Sequence, residues 1–184
     1  MNRLQLEHLI RAAGDIAGDD EIVILGSTAI LSQFPEVPEQ IIHSVEADIF
    51  PKNKPEMATV IDGCIGELSP FHQTYGYYAH GVGPETAGNL PSGWEERLVP
   101  IRNENTRGIT GWAVEIHDLV IGKYVSDRDK DLDFNRQLIR MGLVSQRISL
   151  ERLESLEAAK GEKERIRTKI KADFESAQAV DGRP

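Results

Sequence analysis

The chain has 184 residues, of which 40% are hydrophobic and 28% charged, a balance that supports one domain of ordinary size and argues against wholesale disorder. Its formal net charge of −9 argues against a broad basic surface for nucleic acid, but it allows a local basic pocket for a triphosphate. The single cysteine, Cys64, excludes an internal disulfide and a multi-cysteine zinc site. Because the sequence has no signal-like apolar run and no membrane-spanning stretch, we expect a cytoplasmic protein.

Hydrophobic periodicity and turn residues predict the elements in chain order. The first part predicts a helix over residues 4–13 that Gly14 or Gly18 ends, a buried strand over 21–25, a helix from Thr28 with Ser27 near its cap, a strand over 44–50 and a helix over 57–65. The middle predicts an ordered loop with a short strand over 69–93, a strand within 94–101 and a strand over 112–116. The last part predicts a helix from His117 with Asp118 as N-cap, a helix over 129–141 that Gly142 ends, and a charged helical segment over 149–177 with a thin apolar stripe.

The strand over 44–50 carries two acids on one face. Successive side chains of a strand point to opposite faces, so positions 45, 47 and 49 form an apolar face opposite Ser44, Glu46 and Asp48. Carboxylates two residues apart lie about 6–7 Å apart along a strand, close enough to hold one Mg²⁺ or a pair of ions. The alternative interpretation is the solvated face of an edge strand.

Gly26 and Ser27 follow the buried strand directly. Such a turn can present backbone N–H groups and a hydroxyl to a nucleotide phosphate at a helix N-terminus. The alternative is an ordinary strand-to-helix turn that uses glycine for its backbone and serine for its cap.

A third motif lies between residues 123 and 133. Lys123 could hold triphosphate oxygens as a point charge and Arg128 as a planar fork, while Asp131 could orient either cation or add a ligand. The alternative is a solvated helix junction whose mixed charges pair locally.

These motifs together resemble a known group of enzymes. A strand, Gly-Ser, and a strand with acids two apart is similar to the polymerase-beta-like nucleotidyltransferase superfamily. The run from Glu115 through Lys123 to Asp131 resembles the lysine helix of the abortive-infection toxin nucleotidyltransferases. A closer resemblance, to an uncharacterised bacterial family classed with these enzymes, covers about residues 20 to 145 and rests on segments 24–27, 44–48, 69–72, 81–86 and 90–94.

The resemblance implies an α+β fold in which a small mixed β-sheet is flanked by helices, with a helical C-terminal region. We therefore expect a nucleotidyltransferase-like domain over residues 1–145 and a charged helical extension over 146–184. The extension suits either packing on the domain or pairing with a partner helix, which would make a homo-oligomer or a complex with another protein.

The resemblance also implies a site. Glu46 and Asp48 would ligate Mg²⁺ and act with Lys123 in catalysis, and the nucleoside triphosphate would contact the set Gly26, Ser27, Ser44, Lys123, Arg128 and Asp131. An acceptor hydroxyl on RNA or protein would attack the α-phosphorus and release pyrophosphate. The relation to toxin enzymes suggests a toxin–antitoxin or phage-defence setting, and no membrane partner is expected.

Two departures from the superfamily pattern lead to a second hypothesis. The superfamily usually begins its acid pair with Asp, whereas this chain has Glu46, whose carboxylate sits on a side chain one methylene longer. The superfamily often adds a third carboxylate on a later strand, for which Glu115 and Glu96 are the candidates. The alternative function is therefore a catalytically degenerate fold that acts as a nucleotide-binding or protein-interaction module.

Overall fold

The computed structural model describes residues 1–38, 41–42 and 44–181. The chain forms two compact units. The first, here the sheet unit, consists of Met1–Gly88 and Arg97–Glu115, and the second, here the helical unit, consists of Asn89–Glu96 and the chain from Ile116 onward. The predicted division at residue 145 stays a prediction, and residues 182–184 of the predicted extension lie outside the described residues.

The sheet unit contains a five-stranded mixed sheet with strand order β3-β2-β1-β5-β4. The strands are β1 Glu21–Leu25, β2 Glu46–Pro51, β3 Tyr78–Gly81, β4 Val99–Ile101 and β5 Thr110–Ala113. β1 pairs antiparallel with β2 and parallel with β5, β2 pairs parallel with β3, and β4 pairs antiparallel with β5. The predicted small mixed sheet flanked by helices is confirmed.

The helices of the sheet unit are α1 Arg3–Ala17, α2 Ala58–Ile65 and α3 Pro70–Tyr75. α1 begins with a capping box, in which Asn2 accepts a hydrogen bond from the backbone N–H of Gln5 and the Gln5 side chain accepts one from Asn2. It ends at Gly18, whose φ of 60° is the left-handed conformation that glycine adopts without steric cost. Leu4, which the sequence places on the apolar stripe, is instead 66% exposed.

The core of the sheet unit forms around β1, because this is the central strand of the five. Ile22, Val23, Ile24 and Leu25 are all buried, as the continuous apolar run predicts. Short 3-10 helices connect the regular elements, over Ser27–Ser32, Pro55–Met57, Pro84–Asn89 and Trp94–Arg97. The segment predicted as an ordered loop with a short strand over 69–93 contains α3 as well as β3. The strand predicted within 94–101 is limited to β4.

β2 begins two residues later than predicted. The Ser44 hydroxyl accepts from the Glu46 backbone N–H at 3.1 Å and donates to the Glu46 carbonyl at 3.0 Å, and such a local turn competes with strand pairing. Val45 is consequently 46% exposed and does not belong to the apolar face, whereas Ala47 and Ile49 are buried. Ser44 lies outside the strand and is not part of the acidic face.

The helical unit contains α4 Ile116–Ser126, α5 Asp129–Arg140, α6 Gln146–Glu154 and α7 Lys160–Asp181. Gly142 follows α5 with a φ of 69°, as the predicted helix stop requires. The predicted cap at Asp118 is wrong, because this residue lies inside the first turn of α4, fully buried, with Arg152 Nε at 3.4 Å.

The charged segment predicted over 149–177 is divided between α6 and α7. Its apolar stripe is buried at Leu153, Leu156, Ile166 and Ile170. Within the helical unit α6 packs against α4, and α7 packs against α5 and α6. Among the described helices none is both long enough and apolar enough to cross a membrane.

Candidate functional site

The two acids of β2 lie on one face of the sheet. Glu46 and Asp48 are partly exposed, while the alternating Ala47 and Ile49 are fully buried. This is the alternation expected of a strand with one face on the core. The sheet unit therefore presents two carboxylates, two residues apart, on the side opposite Ala47 and Ile49.

The neighbouring strand β3 supplies a hydrogen-bond donor to each acid. In the parallel register, Glu46 lies beside Tyr78 and Asp48 beside His80. The Tyr78 hydroxyl donates to Glu46 Oε2 at 2.9 Å, and His80 Nδ1 lies 2.9 Å from Asp48 Oδ1. Sequence reasoning missed both residues, although the alternation of Tyr78, Ala79 and His80 was a signal for a strand with its own polar face.

The surroundings of these donors shift their pKa values. Burial, then the hydrogen bond and negative charge of Glu46, raises the pKa of Tyr78 to about 12, so its hydroxyl keeps the proton that it donates. The hydrogen bond to Asp48 raises the pKa of His80, and the negative charges of Asp48 and Asp62 add to this effect against the opposing effect of burial. Each acid of β2 thus faces a side chain of β3 whose pKa is raised.

Gly26 lies directly beside the second acid. Leu25 and Asp48 are register partners in the antiparallel pair of β1 and β2, which brings the following residue, Gly26, next to Asp48. A Cβ on Gly26 would lie 2.5 Å from Asp48 Oδ2, and its φ of 68° with ψ of −171° belongs to a region that essentially only glycine occupies. The structure thus brings together the Gly-Ser turn and the acidic strand.

The residues after Gly26 differ from the predicted cap. Ser27 is the first residue of a 3-10 helix and Gly26 occupies its N-cap position, so Ser27 lies next to the cap and does not form it. In the part of the chain that the structure describes, the buried Thr28 Oγ1 has no hydrogen-bond partner. The half-buried Ser27 hydroxyl likewise has none there, so it is available to a ligand.

The cationic residues form a separate cluster in the helical unit. Lys123 Nζ lies 2.7 Å from Asp131 Oδ1, and Arg128 Nε lies 2.6 Å from Asp131 Oδ2. The Ser126 hydroxyl donates to the same carboxylate at 3.1 Å, and Lys123 Nζ lies 4.5 Å from the Phe134 ring centroid. Asp131 therefore binds both cations that the sequence assigns to the triphosphate.

Burial determines the pKa values of this cluster. Burial lowers the pKa of Lys123 because it disfavours the charged ammonium, and the Asp131 carboxylate only partly offsets it. Burial alone would raise the pKa of Asp131, but hydrogen bonds and positive charges from Lys123 and Arg128 outweigh it and lower the pKa. The cluster is an ion triad in which one carboxylate pairs with two cations of the same unit.

Residues 4–179 match the model of a family described as nucleotidyltransferase of unknown function (DUF6036). The chain belongs to this family. Family membership implies a nucleotide substrate and confirms the predicted nucleotidyltransferase relationship, while the link to toxin enzymes stays a prediction. The sequence resemblance ends at about residue 145, but the family match continues to residue 179 and therefore covers α6 and most of α7. No curated protein and no solved structure matches the chain.

A third carboxylate of the kind common in nucleotidyltransferases does not complete the pair. Across residues 1–38, 41–42 and 44–181, no three His, Cys, Asp or Glu side chains cluster closely enough to hold a metal ion. Of the two candidates, Glu96 belongs to the helical unit, and Glu115 lies two residues beyond the end of β5 in the sheet unit. Among the described residues, a metal site here would rest on Glu46 and Asp48.

The donor set nevertheless fits Mg²⁺ shared with a nucleotide. Each acid has one oxygen bound to β3, while Glu46 Oε1 and Asp48 Oδ2 accept no hydrogen bond from any described residue. Mg²⁺ is usually bound through one or two carboxylates, with the remaining positions taken by water and substrate phosphates. Two carboxylate oxygens in a partly exposed position meet that requirement.

Proposed function

We propose that this protein is a Mg²⁺-dependent nucleotidyltransferase whose metal site is the acidic pair of β2. The observation that carries the proposal is the arrangement of Glu46 and Asp48 on one face of β2. Each acid has one oxygen bound to β3 and one oxygen left for a ligand, and Asp48 lies against Gly26. Family membership supports the transfer of nucleotides in general.

In this proposal the sheet unit binds the metal and the phosphates. Glu46 and Asp48 would hold Mg²⁺, and the ion would neutralise negative charge on the triphosphate as the reaction proceeds. Gly26 and Ser27 are the proposed phosphate contacts of this unit, through the backbone N–H groups of the turn and the Ser27 hydroxyl. The Ser44 hydroxyl bonds to the Glu46 backbone, so its predicted nucleotide contact would require that turn to open.

Within the helical unit, the proposal keeps the two predicted cations. Lys123 and Arg128 are the proposed triphosphate contacts, the first as a compact charge and the second as a planar fork. Asp131 holds both head groups in place through hydrogen bonds. Fixed cations cost less to organise around a phosphate than flexible ones, because their side-chain entropy is already lost.

The proposed reaction transfers a nucleoside monophosphate. An acceptor hydroxyl oxygen forms a bond to the α-phosphorus, the bond from that phosphorus to the bridging oxygen of the β-phosphate breaks, and pyrophosphate leaves. The hydroxyl proton passes to solvent. The proposed acceptor is RNA or protein, and a toxin–antitoxin or phage-defence role in the cytoplasm is part of the same proposal.

The test uses the position of a radioactive label. Each NTP, labelled at either the α- or the γ-phosphate, is incubated with the full chain, Mg²⁺ and either total RNA or total protein. The proposal expects α-label on one acceptor fraction, no transfer of γ-label, and loss of transfer with EDTA. Transfer of γ-label would instead indicate a kinase, and no transfer from any NTP to either fraction would contradict the catalytic proposal.

A second candidate function is nucleotide binding without catalysis. The observation that favours it is the two-carboxylate site, with Glu46 in place of the usual Asp and no third acid clustered with the pair among the described residues. A degenerate site of this kind would bind an NTP without releasing pyrophosphate. Binding that survives Asp48→Ala, without transfer by the wild-type chain, would favour this function over catalysis.

A further inference from the structure

We propose that Tyr78 and His80 of β3 are positioning residues for the acidic pair, each holding one carboxylate oxygen so that the second oxygen stays directed to the ligand. This inference rests on the proposed function and deepens it, because it identifies which residues outside the pair determine the geometry of the metal site. Neither residue belongs to the motifs that carry the family resemblance.

The pairing of the two strands makes the contacts specific. In the parallel ladder of β2 and β3, Glu46 lies beside Tyr78 and Asp48 beside His80, so each donor meets one acid. Both hydrogen bonds have the same length, 2.9 Å. Two donors spaced like the two acceptors fix both carboxylates at once, which a single donor could not do.

β3 is itself firmly held. The backbone N–H of Tyr78 donates to Val45 at 3.0 Å and that of Val82 donates to Ile49 at 3.0 Å, at the two ends of the strand. A Cβ on Gly81 would lie 2.0 Å from the Ala58 carbonyl oxygen, so β3 packs closely against α2. Donors on an element fixed in this way hold a ligand set more precisely than donors on a loop.

Hydrogen-bond chemistry assigns the proton on His80. An ionised carboxylate only accepts hydrogen bonds, so Nδ1 carries the proton that lies between His80 and Asp48. The Tyr78 hydroxyl donates to Glu46 for the same reason. Without these donors, two like charges on one face would repel and the side chains would be free to change rotamer.

Mn²⁺ is the probe for the test, because loss of the EPR signal of the free ion reports binding without any need for catalysis. The variants are His80→Ala, His80→Gln, His80→Asn and Tyr78→Phe in the full chain. An Asn side chain can place its amide N–H near the position of Nδ1, whereas Gln extends its amide toward the position of Nε2. His80→Asn is therefore the conservative rescue, and His80→Gln is its matched control.

The proposal expects the Ala, Gln and Phe variants to bind Mn²⁺ about tenfold or more weakly than wild type, as for other residues that orient metal ligands. His80→Asn is expected to bind nearly as wild type does. Equal Mn²⁺ affinity in all variants, with wild-type binding intact, would overturn the positioning role alone. No Mn²⁺ binding by the wild-type chain would contradict the proposed metal site itself.

A purely structural role for β3 predicts a different pattern. In that case His80→Asn and His80→Gln would weaken Mn²⁺ binding equally, and each loss would follow the loss of folding stability measured by urea unfolding. Tyr78→Phe keeps the buried ring and removes only the hydroxyl, so a folded Phe variant with unchanged affinity would also count against the inference.

Discussion

The acidic pair of the sheet unit and the cationic cluster of the helical unit differ in how far their charged groups are paired within the protein. Glu46 and Asp48 are partly exposed, and each keeps one oxygen without a donor among the described residues. Asp131 is 2% exposed, and both of its oxygens bind cations of its own unit. The first arrangement leaves carboxylate oxygens for a ligand, whereas in the second both oxygens of the carboxylate are occupied by cations of the protein.

This difference connects the acidic pair with ligand binding and Asp131 with folding stability. An open carboxylate in partial contact with water adds little to folding free energy, so its presence in a strand is better explained by a ligand. The buried Lys123–Asp131 pair costs much to desolvate, and removal of Asp131 leaves the charge of Lys123 uncompensated. We therefore expect mutations of the acidic pair to lower activity much more than stability, whereas removal of Asp131 should lower stability.

The largest expected effect is on stability. Asp131→Asn removes the shared counter-ion of Lys123 and Arg128, and breaking a buried ion pair costs about 3–5 kcal/mol of the free energy of unfolding. Urea unfolding measures this loss. Asp133→Asn, on the same helix, is the matched control, because Asp133 pairs only at the surface with Arg136 and should change stability little. Equal stability of the two variants would contradict the account of the buried Lys123–Asp131 pair.

The acidic pair should show the reverse signature. Asp48→Asn removes one negative charge from the proposed metal site, and we expect transfer to slow at least about 100-fold, which equals about 2.7 kcal/mol in the activation barrier. The free energy of unfolding should stay close to wild type. Labelled-NTP transfer and urea unfolding on one preparation check both parts. A variant that loses stability in proportion to activity would remove the distinction between the two regions.

A glycine substitution tests how closely the Gly-Ser turn and the acid are coupled. Gly26→Ala forces a Cβ to 2.5 Å from Asp48 Oδ2, so we expect weaker Mn²⁺ binding together with a stability loss of about 1–2 kcal/mol from the backbone conformation. Gly76→Ala is the control, because Gly76 also has a positive φ but no heavy atom within 4 Å of its added Cβ. It should lose stability and keep Mn²⁺ affinity; loss of affinity in both would indicate general disruption.

The smallest expected effect is the pH dependence of the triad. The pKa of Asp131 is lowered in the folded state, so its contribution to stability is complete above the unfolded pKa of about 3.9 and is lost as the pH falls through the folded value. Urea unfolding below pH 4 should therefore weaken wild type more steeply than Asp131→Asn. Glu7 and Asp19, whose pKa values are also lowered, contribute in the same direction in both proteins. Parallel pH profiles would contradict the assignment.

The sequence predicted the elements whose signals are local. The run Glu21–Leu25, the alternation around Glu46 and Asp48, and the helix stop at Gly142 all follow from spacing along the chain. The register of β1 and β2 then brought Gly26 beside Asp48. The sequence of neither segment specifies which strands pair. The contact between Gly26 and Asp48 could therefore be expected only through the family resemblance.

The parts that sequence reasoning missed depend on distant segments. Tyr78 and His80 reach the acidic pair through parallel pairing with a strand about thirty residues earlier. Asp118 has the residue type of a helix cap. In the structure it lies instead inside α4, fully buried beside Arg152. Ser44 was assigned to the acidic face by alternation, which its own hydrogen bonds to Glu46 interrupt.

The central claim, that the acidic pair binds a metal–nucleotide complex, is tested most directly by calorimetry. Each NTP is titrated into the wild-type chain and into Asp48→Asn, with Mg²⁺ and then with EDTA. The account predicts binding of at least one NTP to wild type in Mg²⁺, and marked weakening both with EDTA and in Asp48→Asn. The absence of binding to wild type in Mg²⁺, or equal binding to wild type and Asp48→Asn, would contradict it.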